Sequence, residues 1–187
     1  LDDKTEMFSI NELIKVFDID KISKSPAIFN KEKLDWFNGR YILNLTPENF
    51  AKEIDNYFKQ FLDTNKYKSI QSYDINDISV MIKQRCKTLN DAIMLTEFLY
   101  QEPKFESNAE IQIMCDSPEQ CKTILSNAIN TLNKIHEFTT ENIELVLKSL
   151  MNTLEVKPKH LLGTLRIVIT NQKVSPPIFD CLYILGK

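Results

Sequence analysis

Glycine is scarce, with 3 in 187 residues. A phosphate-cradling Gly-rich loop and a turn-rich all-β fold both need more of it, and both are excluded. No run of about 18 apolar residues occurs, so there is no candidate for a membrane-crossing helix. The opening LDDKTEMFSINEL is acidic, lacks an apolar core and lacks an initiating Met. It reads as the interior of a longer chain rather than as a secretory leader. Histidine is limited to His136 and His160, on separate segments without ligand spacing. The four cysteines, Cys86, Cys115, Cys121 and Cys181, form no Cys-x-x-Cys pair. These features argue against a structural metal and for reduced thiols in a cytoplasmic protein. Catalytic signatures are missing as well: no Gly-x-Ser-x-Gly, no His-Glu-x-x-His, no phosphate loop and no useful Cys–His spacing. The acid pairs Asp74/Asp77 and Glu141/Glu144 stand near helix starts, where the helix dipole favours them, so no catalytic residue is assigned.

The composition is 43% hydrophobic and 26% charged, that of a folded globular chain. Its length suffices to bury a core without disulfides or metals. Helix signals are dense. Ser9-x-x-Glu12 is a capping box ahead of Ile10, Leu13, Ile14 and Phe17. Asn30 opens a helix carrying Leu34, Trp36 and Phe37, expected in the core, and closing near Gly39. Thr46-Pro47-Glu48 opens another, with Phe50, Ile54, Tyr57, Phe58 and Phe61 on one stripe. Asp74 starts a helix bearing Ile75, Ile78 and Ile82, and Thr88-x-x-Asp91 starts one that runs to Leu99. Residues 103–116 show no period and read as a connector. Within them IQIM at 111–114 is the single strand candidate, too short to carry a sheet. Ser117-Pro118 begins a long helix with Cys121, Ile124, Leu125, Ala128, Ile129 and Leu132 inward. Thr139 or Thr140 caps the next, Pro158 starts a short one, and Pro176-Pro177 opens the last, ended by Gly186. The expected fold is all-α: nine or ten helices in two or three packed helical subdomains.

Charge is blocked rather than even. Residues 21–87 carry net +4 and 155–187 net +3, while 1–20 carry −4 and 88–154 carry −6. Two basic blocks make a positive stripe only if folding joins them. The chain has twenty lysines but three arginines, Arg40, Arg85 and Arg166. An arginine kept against that background suits tasks that need its planar fork: two parallel hydrogen bonds to a carboxylate, a phosphate or a base edge. A surface ion pair is the plainer alternative for each.

Two end motifs carry a resemblance. ISKSPAIFNKEKLDWFNGRYI at 22–42 resembles the segment that follows the catalytic domain in bacterial-type glutamyl-tRNA synthetases. The matching positions are Ser23 to Ala27, then Lys33, Leu34, Trp36, Asn38, Gly39, Tyr41 and Ile42. TLRIVIT at 164–170, SPPIF at 175–179 and ILGK at 184–187 are similar to the end of the same family. MIKQRCKTLNDAI between them is similar more weakly. The resemblance runs in order over nearly the whole chain.

It implies three regions: 1–46 as the remainder of a stem-contact region, 47–103 as a first anticodon-binding subdomain, and 104–187 as a second. It also implies that Ser23-Lys24-Ser25, which looks like part of an ATP-holding loop, is a downstream structural loop. By the family pattern Arg166 contacts the first anticodon base, and Ser175, Pro176 and Ile178 belong to the turn that holds the first two. Arg85 reads the third base, which separates Glu from Gln anticodons. Thr164 stands where Pro is common, expected only to loosen a helix start, and Asn171 where Gly is frequent. Lys83, Lys157, Lys159 and Lys173 are candidate phosphate contacts. The implied partner is a Glu tRNA, with a Gln tRNA as the open alternative, and with no membrane and no DNA, bound by a monomer. The full-length ligase would use ATP and magnesium, whereas this part is expected to need no cofactor. A stand-alone helical RNA-binding module and a helical protein-interaction adaptor remain the alternatives.

Overall fold

A computed structural model describes residues 7–22, 25–26, 28–105, 107, 111 and 113–186. Ten α-helices lie wholly within them: α1 (Ile10–Val16), α2 (Lys31–Asn44), α3 (Pro47–Phe61), α4 (Thr64–Ile70), α5 (Ile75–Ile82), α6 (Leu89–Leu95), α7 (Pro118–Leu132), α8 (Thr140–Thr153), α9 (Pro158–Thr170) and α10 (Ile178–Leu185). Short 3-10 turns cover Ile19–Lys21, Lys83–Arg85 and Glu97–Leu99. No strand occurs among the described residues; Ile111 is helical and Ile113–Met114 a turn. The all-α expectation holds. The decoy loop is largely outside the described residues, since Ser23 and Lys24 are.

Local chemistry sets most helix starts. The Ser9 hydroxyl accepts from Glu12 N–H at 3.3 Å, and the Glu12 carboxylate accepts from Ser9 N–H at 2.7 Å. That draws the Glu12 pKa below the ordinary carboxylate value. Thr46, Ser117 and Thr139 accept from the backbone N–H three residues on, and Asn30 does so from Lys33 N–H at 3.0 Å. Each bond satisfies a donor that the first helical turn leaves free.

Four expectations are corrected. Helix α2 does not close near Gly39 but runs on to Asn44. Gly39 lies mid-helix where α2 rests on the chain after α5: a Cβ there would sit 3.6 Å from Lys87 Cα and 3.8 Å from the Cys86 carbonyl, at ordinary contact distance. Trp36 is not core. It is 45% exposed, with its ring edge-on to Phe37 at 5.1 Å and the Arg40 guanidinium 5.9 Å from its centroid. The helix from Leu89 breaks at Thr96, which is fully buried and donates its hydroxyl to the Ala92 carbonyl at 2.7 Å. Thr164 is not at a helix start but inside α9, enclosed, with its hydroxyl donated to the His160 carbonyl and 3.2 Å from Cys115 Sγ. Two members of the expected apolar stripes, Phe61 and Ile129, are exposed instead. Helix α4, capped by Asp63, carries no long apolar period and shows in the sequence only as a cap.

The buried residues from α2 to α10 form one connected core. Helix α3 packs on α5 and α6; α7 packs on α8 and α9; α10 packs on α5, α8 and α9 and so joins the two groups. Phe50, Ile54, Phe58, Ile78, Ile124, Ile143, Leu147 and Leu161 have no accessible surface.

Candidate nucleic-acid interface

Helix α10 decides the geometry of the site. Its first turn buries Cys181, whose Sγ lies 3.9 Å from Met81 Sδ on α5. One helical turn beyond Met81 stands Arg85, exposed on the 3-10 turn that continues α5. From the other side comes α9, which carries the half-buried Arg166 and packs on α10. The Cys181 thiol senses both. Burial pushes its pKa up to about 12 and Asp180 adds to the rise, while the Arg166 and Arg85 guanidiniums pull the other way. Two arginines 81 residues apart in the chain therefore flank one point. Neither donates to another side chain in an ion pair or hydrogen bond among the described residues.

Between α9 and α10 runs the loop 171–177. Asn171 ends α9 in the left-handed region, with φ 51°, the conformation expected of an Asn where Gly is frequent. Its side-chain amide donates to the Lys104 carbonyl at 3.0 Å, and that of Gln172 donates to the Met94 carbonyl at 3.0 Å. The Thr170 hydroxyl accepts from Gln172 N–H at 3.2 Å. The loop is thereby tied to the far half of the molecule at both bonds. Of the expected turn residues, Ser175, Pro176 and Ile178 are all enclosed, Ser175 with no accessible surface. The Ser175 hydroxyl donates to the Pro176 carbonyl at 3.0 Å. What the loop shows to solvent is Lys173 and Val174, the latter 73% exposed. Sequence reasoning missed Val174 and the two amide tethers. An exposed β-branched residue in a basic turn was the available signal for the first; the tethers had none, being contacts across about 70 residues.

The four lysines do not gather. Lys173 is on the loop. Lys157 and Lys159 are exposed at the opposite end of α9, about nine residues and roughly 13 Å of helix from Arg166. Lys83 is part-buried and donates to the Leu45 carbonyl at the end of α2. No group of three or more His, Cys, Asp or Glu among the described residues is arranged to hold a metal. No helix among them is long and apolar enough to cross a membrane.

A family model described as an anticodon binding domain matches residues 48–187. The chain belongs to the anticodon-binding domain family. A glutamate–tRNA ligase of Dehalococcoides mccartyi is 34% identical over 193 residues, covering all of this chain and 38% of that protein. One from Borreliella afzelii is 32% identical over 187 residues, with the same coverage. The chain thus spans little more than a third of the length of the curated relatives it matches. In fold it is similar to a crystal structure of a glutamate tRNA ligase from Elizabethkingia meningosepticum. The TM-score is 0.77 at 21% identity, over 99% of this chain and 35% of that one. The resemblance read from the end motifs is confirmed.

Proposed function

We propose that this anticodon-binding chain reads a Glu tRNA with the surface formed by Arg85, Arg166 and the 171–177 loop. The observation that carries the reading is the convergence on α10 of two guanidiniums that have no side-chain ion pair among the described residues, beside an anchored turn. Unstacked anticodon bases expose their Watson–Crick edges, and cytosine there presents neighbouring acceptors that suit an arginine fork. Arg85 takes the third base and Arg166 the first. Ser175, Pro176 and Ile178 serve as the fixed wall of the turn, held so that little conformational freedom is lost when bases pack on it. Lys173 and Val174 form its solvent rim. Lys173, Lys157 and Lys159 neutralise phosphates and set the register without reading sequence.

The parent reading follows. The whole protein would be a glutamate–tRNA ligase of the cytoplasm, charging its tRNA with ATP and magnesium in the part this chain does not span. Residues 1–46 would belong to its stem-contact region; the family match beginning at residue 48 supports a boundary there. The apolar side chains that α1 and α2 expose would be covered by that remaining part of the ligase. This reading is preferred to a separate protein partner because all of this chain aligns to longer ligases.

A titration of the chain with the anticodon stem-loop of the Glu tRNA, beside one carrying the Gln third base, tests the reading. Arg166→Ala should weaken binding of both loops. Arg85→Ala should remove most of the preference for the Glu loop, about 1–3 kcal/mol if the contact is bidentate. Arginine variants that bind both loops like the unaltered chain would refute the assignment.

A further inference from the structure

Arg85 stands on a turn with little backbone support of its own. The Lys83–Arg85 turn is a single 3-10 turn, a geometry with poor hydrogen bonds, and it closes with a Cys86 N–H to Lys83 carbonyl bond of 3.4 Å. The side chains of its neighbours do the holding. On the C-terminal side, the Asp91 carboxylate accepts from Lys87 N–H at 2.8 Å and from Thr88 N–H at 2.9 Å. On the N-terminal side, the Lys83 ammonium reaches across 38 residues to the Leu45 carbonyl. Leu45 is the C-cap of α2, its own N–H donating to the Ile42 carbonyl, and a cation beside this end of the helix is favoured by the helix dipole. Glu48, just beyond, faces the same ammonium. The contact of Gly39 with Lys87 is the second point at which α2 meets this segment. Helix α2 is therefore fastened on both sides of Arg85.

We propose that Lys83 is a positioning residue for anticodon discrimination: by capping α2 at Leu45 it fixes the pose of the turn from which Arg85 reads the third base. The inference rests on the assignment of Arg85 above. A guanidinium discriminates bases only when its fork is held to within about half an ångström, and a side chain on an untethered turn binds phosphate and base edges alike. Lys83 supplies that precision without touching RNA. It also makes α2, the helix that leads in from residues 1–46, part of the reading device.

The test uses the 187-residue chain and the same two stem-loops, with dissociation constants measured over a series of salt concentrations. Lys83→Met should cut the Glu-to-Gln preference about five- to tenfold, with the salt slope unchanged. Lys83→Arg, which keeps a donor at the Leu45 carbonyl, should restore the preference. Lys83→Met added to Arg85→Ala should remove no further preference. A Lys83→Met chain that weakens both loops equally and lowers the salt slope by about one would mark a phosphate contact instead and overturn the proposal. So would an unchanged preference. Should Lys83→Met lower the melting temperature by more than a few degrees, Lys83→Gln replaces it under the same criteria. The Arg85→Ala control separates the two readings. If it leaves the preference intact, the Arg85 assignment fails; if it removes the preference while Lys83→Met does not, only the Lys83 inference fails.

Discussion

Residues 7–46 and residues 47–186 spend their apolar side chains in opposite ways. In the first region Ile42 is the one large apolar side chain that is buried among those described, and α1 buries none. Ile10 and Phe17 are more than two-thirds exposed, and Leu13, Ile14, Ile22, Ile28 and Phe29 are exposed with them. In the second region the apolar faces of α3, α5, α7, α8, α9 and α10 close on one another. Both regions have well-formed helix caps. Caps stabilise a helix locally by about 1 kcal/mol each, but burial decides whether the helix belongs to a core. The lesson is that a helix signal in sequence says that a segment can be helical, not that it has a partner within the same chain.

The comparison is most easily broken by matched substitutions. Phe58→Ala, in the last turn of α3 and fully buried, should cost about 3–5 kcal/mol in urea unfolding through lost contacts and a residual cavity. Phe17→Ala should stay within about 0.5 kcal/mol. Comparable losses at both positions would mean that the first region is packed into the fold after all. The next effect sharpens the account of the loop. Asn171→Ala should cost about 1–2 kcal/mol, from left-handed backbone strain and the lost bond to the Lys104 carbonyl. Asn171→Gly relieves the strain and loses only the bond, so it should cost clearly less.

The smallest effect concerns charge at the junction of α8 and α10. Burial holds the Asp180 carboxyl above the ordinary carboxylate value; Glu141 and Glu144 push the same way, and a hydrogen bond with Thr140 partly offsets them. A carboxyl whose folded pKa exceeds its unfolded value favours the folded state when protonated. That stabilisation belongs to low pH and is lost as pH rises through the folded pKa. Asp180→Asn should therefore melt slightly higher than the unaltered chain at pH 7, and the gap should close as pH falls toward about 4. A gap that widens on acidification would reverse the assigned direction. The variant should leave stem-loop binding unchanged if Asp180 faces α8 rather than RNA.

Local rules carried the sequence reading far. Ser9, Asn30, Thr46, Asp74, Ser117 and Thr139 begin helices because their side-chain oxygens reach a backbone N–H two or three residues on, an interaction complete within one turn of chain. Asn171 adopts its left-handed turn for the same kind of reason. The two end motifs also carried the family; Arg166 was read from the second of them and Arg85 from the weaker segment between them. Tertiary structure alone decided what depends on distant partners. Helix α2 runs on through Gly39 to Asn44 beside the Lys83–Arg85 turn, and the helix from Leu89 stops at Leu95, ahead of the fully buried Thr96. Ser175 and Pro176 look like surface turn residues in sequence and are enclosed because Asn171 and Gln172 pull their loop onto the other half of the molecule. The elements that carry Arg85 and Arg166 are brought together because α10 buries Cys181 against Met81 of α5 while packing on α9. Capping is a property of neighbours along the chain and is written there. Convergence depends on which apolar faces close on which, and that is settled only when the whole core forms.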